Sequence, residues 1–111
     1  VGNLSVRRDL SDVRDIARGY RLIAEKGRVG EVYQLCSGRA VTIRTVLDTI
    51  LGLSPMAIRV RVDKARFRKA DIPVLKGSFR KAYRELGYSP TIPLRTTLTD
   101  TLNYWRRRFP A

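Results

Sequence analysis

The sequence predicts an α+β (or α/β) fold: a small lobe with about four helices and a short two-stranded parallel sheet, in the order αβαβαα. Three observations carry this. Four segments repeat apolar residues at three- and four-residue spacing. Two shorter segments are continuously apolar or alternate in the manner of strands. The strand-like runs are separated by a helical one, as a parallel pair with a right-handed crossover requires. The 111 residues suit one domain, and 43% hydrophobic with 30% charged residues describes a folding chain and not a disordered one.

Taken in order, Val1 to Leu4 reads as the tail of a strand, and Ser5 to Ser11 as a polar loop. Asp12 caps the first helix and Asp15 lies in its dipole-favoured first turn. Val13, Ile16, Ala17, Tyr20, Ile23 and Ala24 form the expected inward face; Arg14, Arg18, Arg21 and Glu25 form the solvated one, and Gly27 ends the helix. Residues 31–37 hold Val32, Tyr33, Leu35 and Cys36, a β-prone run. Thr42 caps a second helix with Ile43, Val46, Leu47, Ile50 and Leu51 on its apolar face, stopped by Gly52 and Pro55. Residues 57–63 alternate, with Ile58, Val60 and Val62 on one side and Arg59 and Arg61 on the other, and predict a half-buried strand. Ser78 is the expected cap of a third helix, with Phe79, Ala82, Tyr83 and Leu86 inward and Gly87 as terminator. A connector holding Pro90 and Pro93 leads to a fourth helix with Leu94, Leu98, Leu102, Trp105 and Phe109 near one face.

Twenty-three Lys and Arg against ten Asp and Glu leave a net charge of +13, so a polyanion or a small anionic ligand is the expected class of partner. No apolar run approaches the roughly 20 residues that span a bilayer, so no membrane partner is expected. The single Cys36 suits a reducing compartment, and a cytoplasmic location is expected. Histidine is absent, which excludes His-dependent triads and the usual zinc sites within this chain. No Gly-rich strand–turn–helix is present to take a dinucleotide's pyrophosphate, and no Tyr stands four residues before a Lys. Asp9, Asp12 and Asp15 read as capping and solvated carboxylates. Cys36 reads as a small buried residue, Trp105 and Tyr104 as core or interface, and Arg106 to Arg108 as a charged helix end. The densest positive cluster is Arg66-Phe67-Arg68-Lys69, followed closely by Asp71. An arginine and a carboxylate at that separation in a loop can take a phosphate and a hydroxyl pair, the two groups a nucleotide diphosphate presents.

Three patterns in chain order resemble the C-terminal part of nucleotide-sugar-modifying extended short-chain dehydrogenases/reductases, the NAD-dependent epimerase/dehydratase family. The likeness is strongest to GDP-mannose 4,6-dehydratases and GDP-4-keto-6-deoxymannose reductases. Gly2-Asn3-Leu4 through Arg8-Asp9-Leu10-Ser11-Asp12-Val13-Arg14-Asp15 is similar to that family's loop and helix start. Val32-Tyr33-Gln34-Leu35-Cys36-Ser37-Gly38 is similar to its strand ending in Ser-Gly. Arg68-Lys69-Ala70-Asp71-Ile72-Pro73, with Glu85-Leu86-Gly87-Tyr88 after a helix, is similar to its Arg-Pro-Ala-Asp/Glu segment. Lys69 stands for the usual Pro, Leu10 for an aromatic, and Ser78-Phe79 for an Asp-Pro helix start.

The resemblance implies three substrate-binding residues. Arg8 is the arginine on the nucleotide's diphosphate, Arg68 a second one on the opposite side, and Asp71 the acid receiving the ribose hydroxyls. It implies that residues 1–111 form a single C-terminal nucleotide-sugar-binding lobe, with the dinucleotide-binding (Rossmann) half and the catalytic Tyr and Lys absent from this chain. No catalytic residue and no bound cofactor is then expected here, while NADP (or NAD) is implied for the full-length family. The family reaction is oxidation at C4 of the sugar, loss of water across C5–C6 and return of hydride, or hydride delivery to a 4-keto sugar in a reductase. The implied partners are a GDP-sugar and either the missing half or another copy of the chain. Two alternatives stand beside this reading: a basic nucleic-acid-binding module, suggested by the charge, and a non-catalytic, self-associating remnant.

Overall fold

In the computed structural model, which describes residues 1–110, the chain opens on a period-two alternation: Leu4 and Val6 are buried, Ser5 and Arg7 exposed. It leads into β1 (Arg7–Asp9), the central strand of a three-stranded sheet. On one side β1 pairs antiparallel with β2 (Ala40–Thr42), in the register Arg7↔Thr42, Arg8↔Val41 and Asp9↔Ala40. On the other it pairs parallel with β3 (Val74–Leu75), Arg7 facing Val74 and Arg8 facing Leu75.

The α+β class with four helices is as the sequence predicts, but the strands lie elsewhere. Residues 5–11, expected as a polar loop, contain the central strand, and a mixed three-stranded sheet replaces the expected parallel pair. Residues 31–37 join no sheet. Side chains hold them instead: Lys81 Nζ donates to the Val32 carbonyl at 2.9 Å, and the Ser37 N–H donates to Asp9 at 2.8 Å. In residues 57–63 only Val60 is partly covered, and among the described residues no strand is paired with them; Val1 bonds to their end. Its amino group donates to the Arg61 carbonyl at 3.0 Å and Asp63 N–H donates to the Val1 carbonyl at 2.8 Å, the bonding of one residue in a parallel pair. With no further partner there, Ile58 and Val62 stay exposed.

The helices are α1 (Val13–Lys26), α2 (Ile43–Gly52), α3 (Arg80–Leu86) and α4 (Leu94–Arg108). The Asp12 carboxylate caps α1 by accepting from Arg14 N–H, and the Thr42 hydroxyl caps α2 by accepting from Thr45 N–H. Helix α3 begins one residue later than expected. Phe79 is its capping position without a side-chain bond, and the Ser78 hydroxyl lies 3.4 Å from Arg80 N. Gly87 closes it at φ 71°, a left-handed position that glycine adopts without strain.

Helix α1 turns a different face inward from the one its apolar spacing predicts. Asp15 and Gly19 are buried, whereas Val13 and Tyr20 are 76% and 66% exposed. The cause is the core it meets: Ala82, Leu86 and Tyr88, flanked by Leu22, Ile23, Tyr33, Leu35 and Phe79. Tyr88 and Leu35 come so close to the helix backbone that a Cβ at position 19 would lie 3.1 Å from the Tyr88 ring and 2.6 Å from a Leu35 methyl. A side chain there would force Leu35 and Tyr88 to give way. Tyr83 of α3, expected inward, is exposed. On the other flank α2 packs on α4. An apolar cavity of about 370 Å³ lies between Val1, Leu4 and the Ile43, Val46, Leu47 and Ile50 face of α2. No helix among the described residues is long and apolar enough to cross a membrane.

Candidate functional site

Asp9, Asp12 and Asp15 do not form a solvated acidic patch; each carboxylate gathers four donors and fixes a separate loop. Asp9 accepts from the Ser37 N–H and hydroxyl, from Gly38 N–H at 2.9 Å and from Gly77 N–H at 3.2 Å. Asp12 accepts from Arg14 N–H, Nε and Nη2, and from the Thr97 hydroxyl at 2.7 Å, which ties the start of α1 to α4. Asp15 accepts from Thr91 N–H, the Thr91 hydroxyl, Ile92 N–H and Arg18 Nη2, all at 2.8–3.0 Å. Burial alone would raise the Asp9 and Asp15 carboxyls. Their donors outweigh it and hold both below the ordinary carboxylate range. The Arg14 fork holds Asp12 far below that range.

Fixing Asp9 fixes its neighbour. Arg8 lies on the central strand, and its guanidinium is locked. Nη1 donates to the Arg7 carbonyl at 2.8 Å and to the Ile72 carbonyl at 2.7 Å, and Nη2 donates to Asp71 Oδ1 at 2.7 Å. Arg8 and Asp71 keep 24% and 21% of their side chains exposed, so the pair faces an opening. That opening is a polar cavity of about 250 Å³ lined by Asn3, Val6, Arg8, Arg66, Arg68 and Asp71. Arg8, distant in sequence, thus shares one cavity with Arg68 and Asp71, and it touches Asp71. Asn3 and Arg66 belong to the lining as well. Asn3 has a structural role there: its Oδ1 accepts from Ser5 N–H and the Ser5 hydroxyl.

The arginines of α1 part ways. Arg14 bridges Asp12 and Asp100, both at 2.8 Å. Arg18 points inward, with Nη2 on Asp15 and the Ser89 carbonyl and its guanidinium over the Tyr88 ring at 5.4 Å. Arg14, Arg21 and Glu25 keep the exposure expected of that face, Arg21 with a loose 3.8 Å pair to Glu25, and only Arg18 leaves it. Cys36 is half-buried, and burial raises its thiol above the ordinary range, which disfavours the nucleophilic thiolate.

A larger cavity of about 650 Å³ is lined by Leu10, Arg39, Val41 and Phe79 together with residues 37–38 and 89–94. The strand–turn–helix from β1 into α1 does not fit a dinucleotide's pyrophosphate. The turn from β1 into α1 is Leu10-Ser11-Asp12 without glycine, and the Asp12 carboxylate occupies the helix start where a pyrophosphate would sit. No group of three His, Cys, Asp or Glu suited to a metal occurs among the described residues.

A profile of the GDP-mannose 4,6 dehydratase family matches residues 1–101. The chain belongs to this family. It is 30% identical over 108 residues to the GDP-6-deoxy-D-mannose reductase of Pseudomonas aeruginosa, covering 97% of this chain and 36% of that protein. A solved Pseudomonas aeruginosa structure, complexed with NADPH, superposes with a TM-score of 0.91 at 28% identity, over 98% of this chain and 36% of that one. A putative epimerase from Burkholderia cenocepacia gives 0.83 at 34% identity, over 96% of this chain and 35% of the other. A UDP-glucose 4-epimerase from Thermotoga maritima, solved with UDP-glucose, gives 0.77 at 28% identity over 96% and 34%. The chain thus spans about a third of the length of these relatives.

Proposed function

We propose that residues 1–111 form one lobe that grips the nucleotide diphosphate of a GDP-sugar, on behalf of a dehydratase or reductase whose reacting groups lie outside this chain. The observation that carries this is the shared cavity of Arg8, Arg68 and Asp71. Hydrogen-bond capacity fits the roles. Arg8 commits three of its five N–H groups to the protein, which orients it and leaves Nε–H and one Nη2–H for phosphate oxygens. Arg68 has no hydrogen bond or ion pair among the described residues and so keeps its whole fork. Asp71 gives Oδ1 to Arg8, and Oδ2 remains as an acceptor for a ribose hydroxyl.

The NADP or NAD of the family would supply hydride chemistry when bound. The turn from β1 into α1 does not fit its pyrophosphate, so this chain alone is inactive in our reading, and its own residues bind and orient substrate. The remaining part of such an enzyme, or a second copy of this chain, is the proposed protein partner. In support, Val13, Ala17, Tyr20 and Ala24 leave one apolar face of α1 uncovered. Calorimetric titration with GDP-mannose tests the site. Weak binding is expected, falling at least about tenfold when Arg8→Ala and Arg68→Ala are combined, since charge-assisted bonds contribute about 1.5–3 kcal/mol each. Binding indifferent to the double substitution would overturn the assignment.

A further inference from the structure

We propose that Arg66 is a specificity residue of this cavity: it supplies a third guanidinium, with which the site selects a diphosphate over a monophosphate. The inference rests on the nucleotide-diphosphate reading above.

The local backbone aims Arg66 at the cavity. Residues Lys64–Arg66 form a 3-10 turn whose start is capped by Asp63, with Ala65 N–H donating to Oδ1 at 2.9 Å. Asp63 is fastened in turn to the Val1 carbonyl at 2.8 Å, and the Arg66 backbone packs on Gly2, where a Cβ would stand 3.2 Å from the Arg66 carbonyl. Phe67 then adopts extended geometry at φ −74° and ψ 135°. Side chains on either side of an extended residue emerge on one face. Arg66 and Arg68 accordingly both line the cavity, while Phe67 does not.

Charge accounting gives the chemistry. Arg8 and Asp71 neutralise each other at 2.7 Å. Arg68 has no partner among the described residues, and Arg66 has only a 3.6 Å contact to Asp63 in which both side chains are more than half exposed. Such a pair holds little free energy and yields readily to a ligand. Two uncommitted guanidinium forks therefore face the opening, one for each phosphate of a nucleoside diphosphate ester. A monophosphate ester can engage only one of them well.

GDP-mannose and GMP separate this geometry from net charge, because near pH 7.5 both carry about two negative charges, the second phosphate ionisation of a monoester lying near pH 6. Each would be titrated by amide chemical-shift changes into the wild-type chain, Arg66→Gln, Arg66→Lys and Arg68→Ala. Arg66→Gln is expected to weaken GDP-mannose roughly three- to tenfold while changing GMP less than about twofold, with Arg66→Lys between it and wild type. Arg66 is exposed, and the unperturbed amide spectrum of each variant verifies its fold. An equal effect on both ligands, or none, overturns the inference, and a continued loss in Arg68→Ala then leaves the broader reading intact. No binding of either ligand by the wild-type chain overturns both.

Discussion

At the scale of single residues, the most consequential groups are the three aspartates spaced by three along the chain. Asp15 is 2% exposed and has all its lone pairs filled by four donors. Replacing it with Asn sets an amide donor against those donors and removes the charge opposite Arg18. The expected loss is about 2–4 kcal/mol in urea denaturation. The same carboxylates set the acid limit of the fold. Their folded pKa values lie below the unfolded ones, so their stabilisation is complete above the ordinary carboxylate value near pH 4 and disappears as pH falls through the lower folded values. The urea midpoint should therefore hold between pH 7 and 5 and drop below about pH 4, less steeply in Asp15→Asn. Asp12 was legible in the sequence as a helix cap. The loop-fixing roles of Asp9 and Asp15 were not, because all their donors except Arg18 come from residues 28 to 77 positions away, and no local spacing encodes such partners.

Among the elements, the helices were legible and the strands were not, for a physical reason. A helix satisfies its own backbone, so capping and periodicity are written locally: Asp12, Thr42 and Gly87 act as their residue types require. Strands of two or three residues carry too little alternation to register, and the central one is masked by Arg7 and Arg8. Its signal was the Leu4/Val6 alternation immediately before it. Conversely, residues 57–63 have the pattern of a strand but, among the described residues, no strand paired with them. Helix α3 fixes the core through Leu86, 1% exposed, so Leu86→Ala is expected to cost about 2–5 kcal/mol. Gly87→Ala, which forces an L side chain into the left-handed region, should cost about 1–2 kcal/mol. Thermal and urea unfolding measure both. Arg68 and Asp71 stood out in the sequence as a loop arginine and carboxylate close together, whereas Arg8 was reachable only through likeness to a family, since its convergence with them depends on β3 lying parallel beside β1.

The whole molecule is a slab, 49 × 36 × 18 Å, with a radius of gyration of 16.9 Å where a compact domain of this length has about 13 Å. One thin core serves it, and Val13, Tyr20, Val32, Ile58 and Trp105 remain exposed. Such a surface favours association. Light scattering after size exclusion should show concentration-dependent self-association, reduced by Tyr20→Lys on the uncovered face of α1; a monomer at high concentration would contradict this. The central claim, that Arg8, Arg68 and Asp71 build a nucleotide-diphosphate grip, is tested most directly by mapping amide chemical shifts during titration with GDP-mannose. The account predicts saturable changes gathered at residues 3–8 and 66–72. Changes gathered instead on the Arg106–Arg108 end of α4, or none at millimolar ligand, would contradict it.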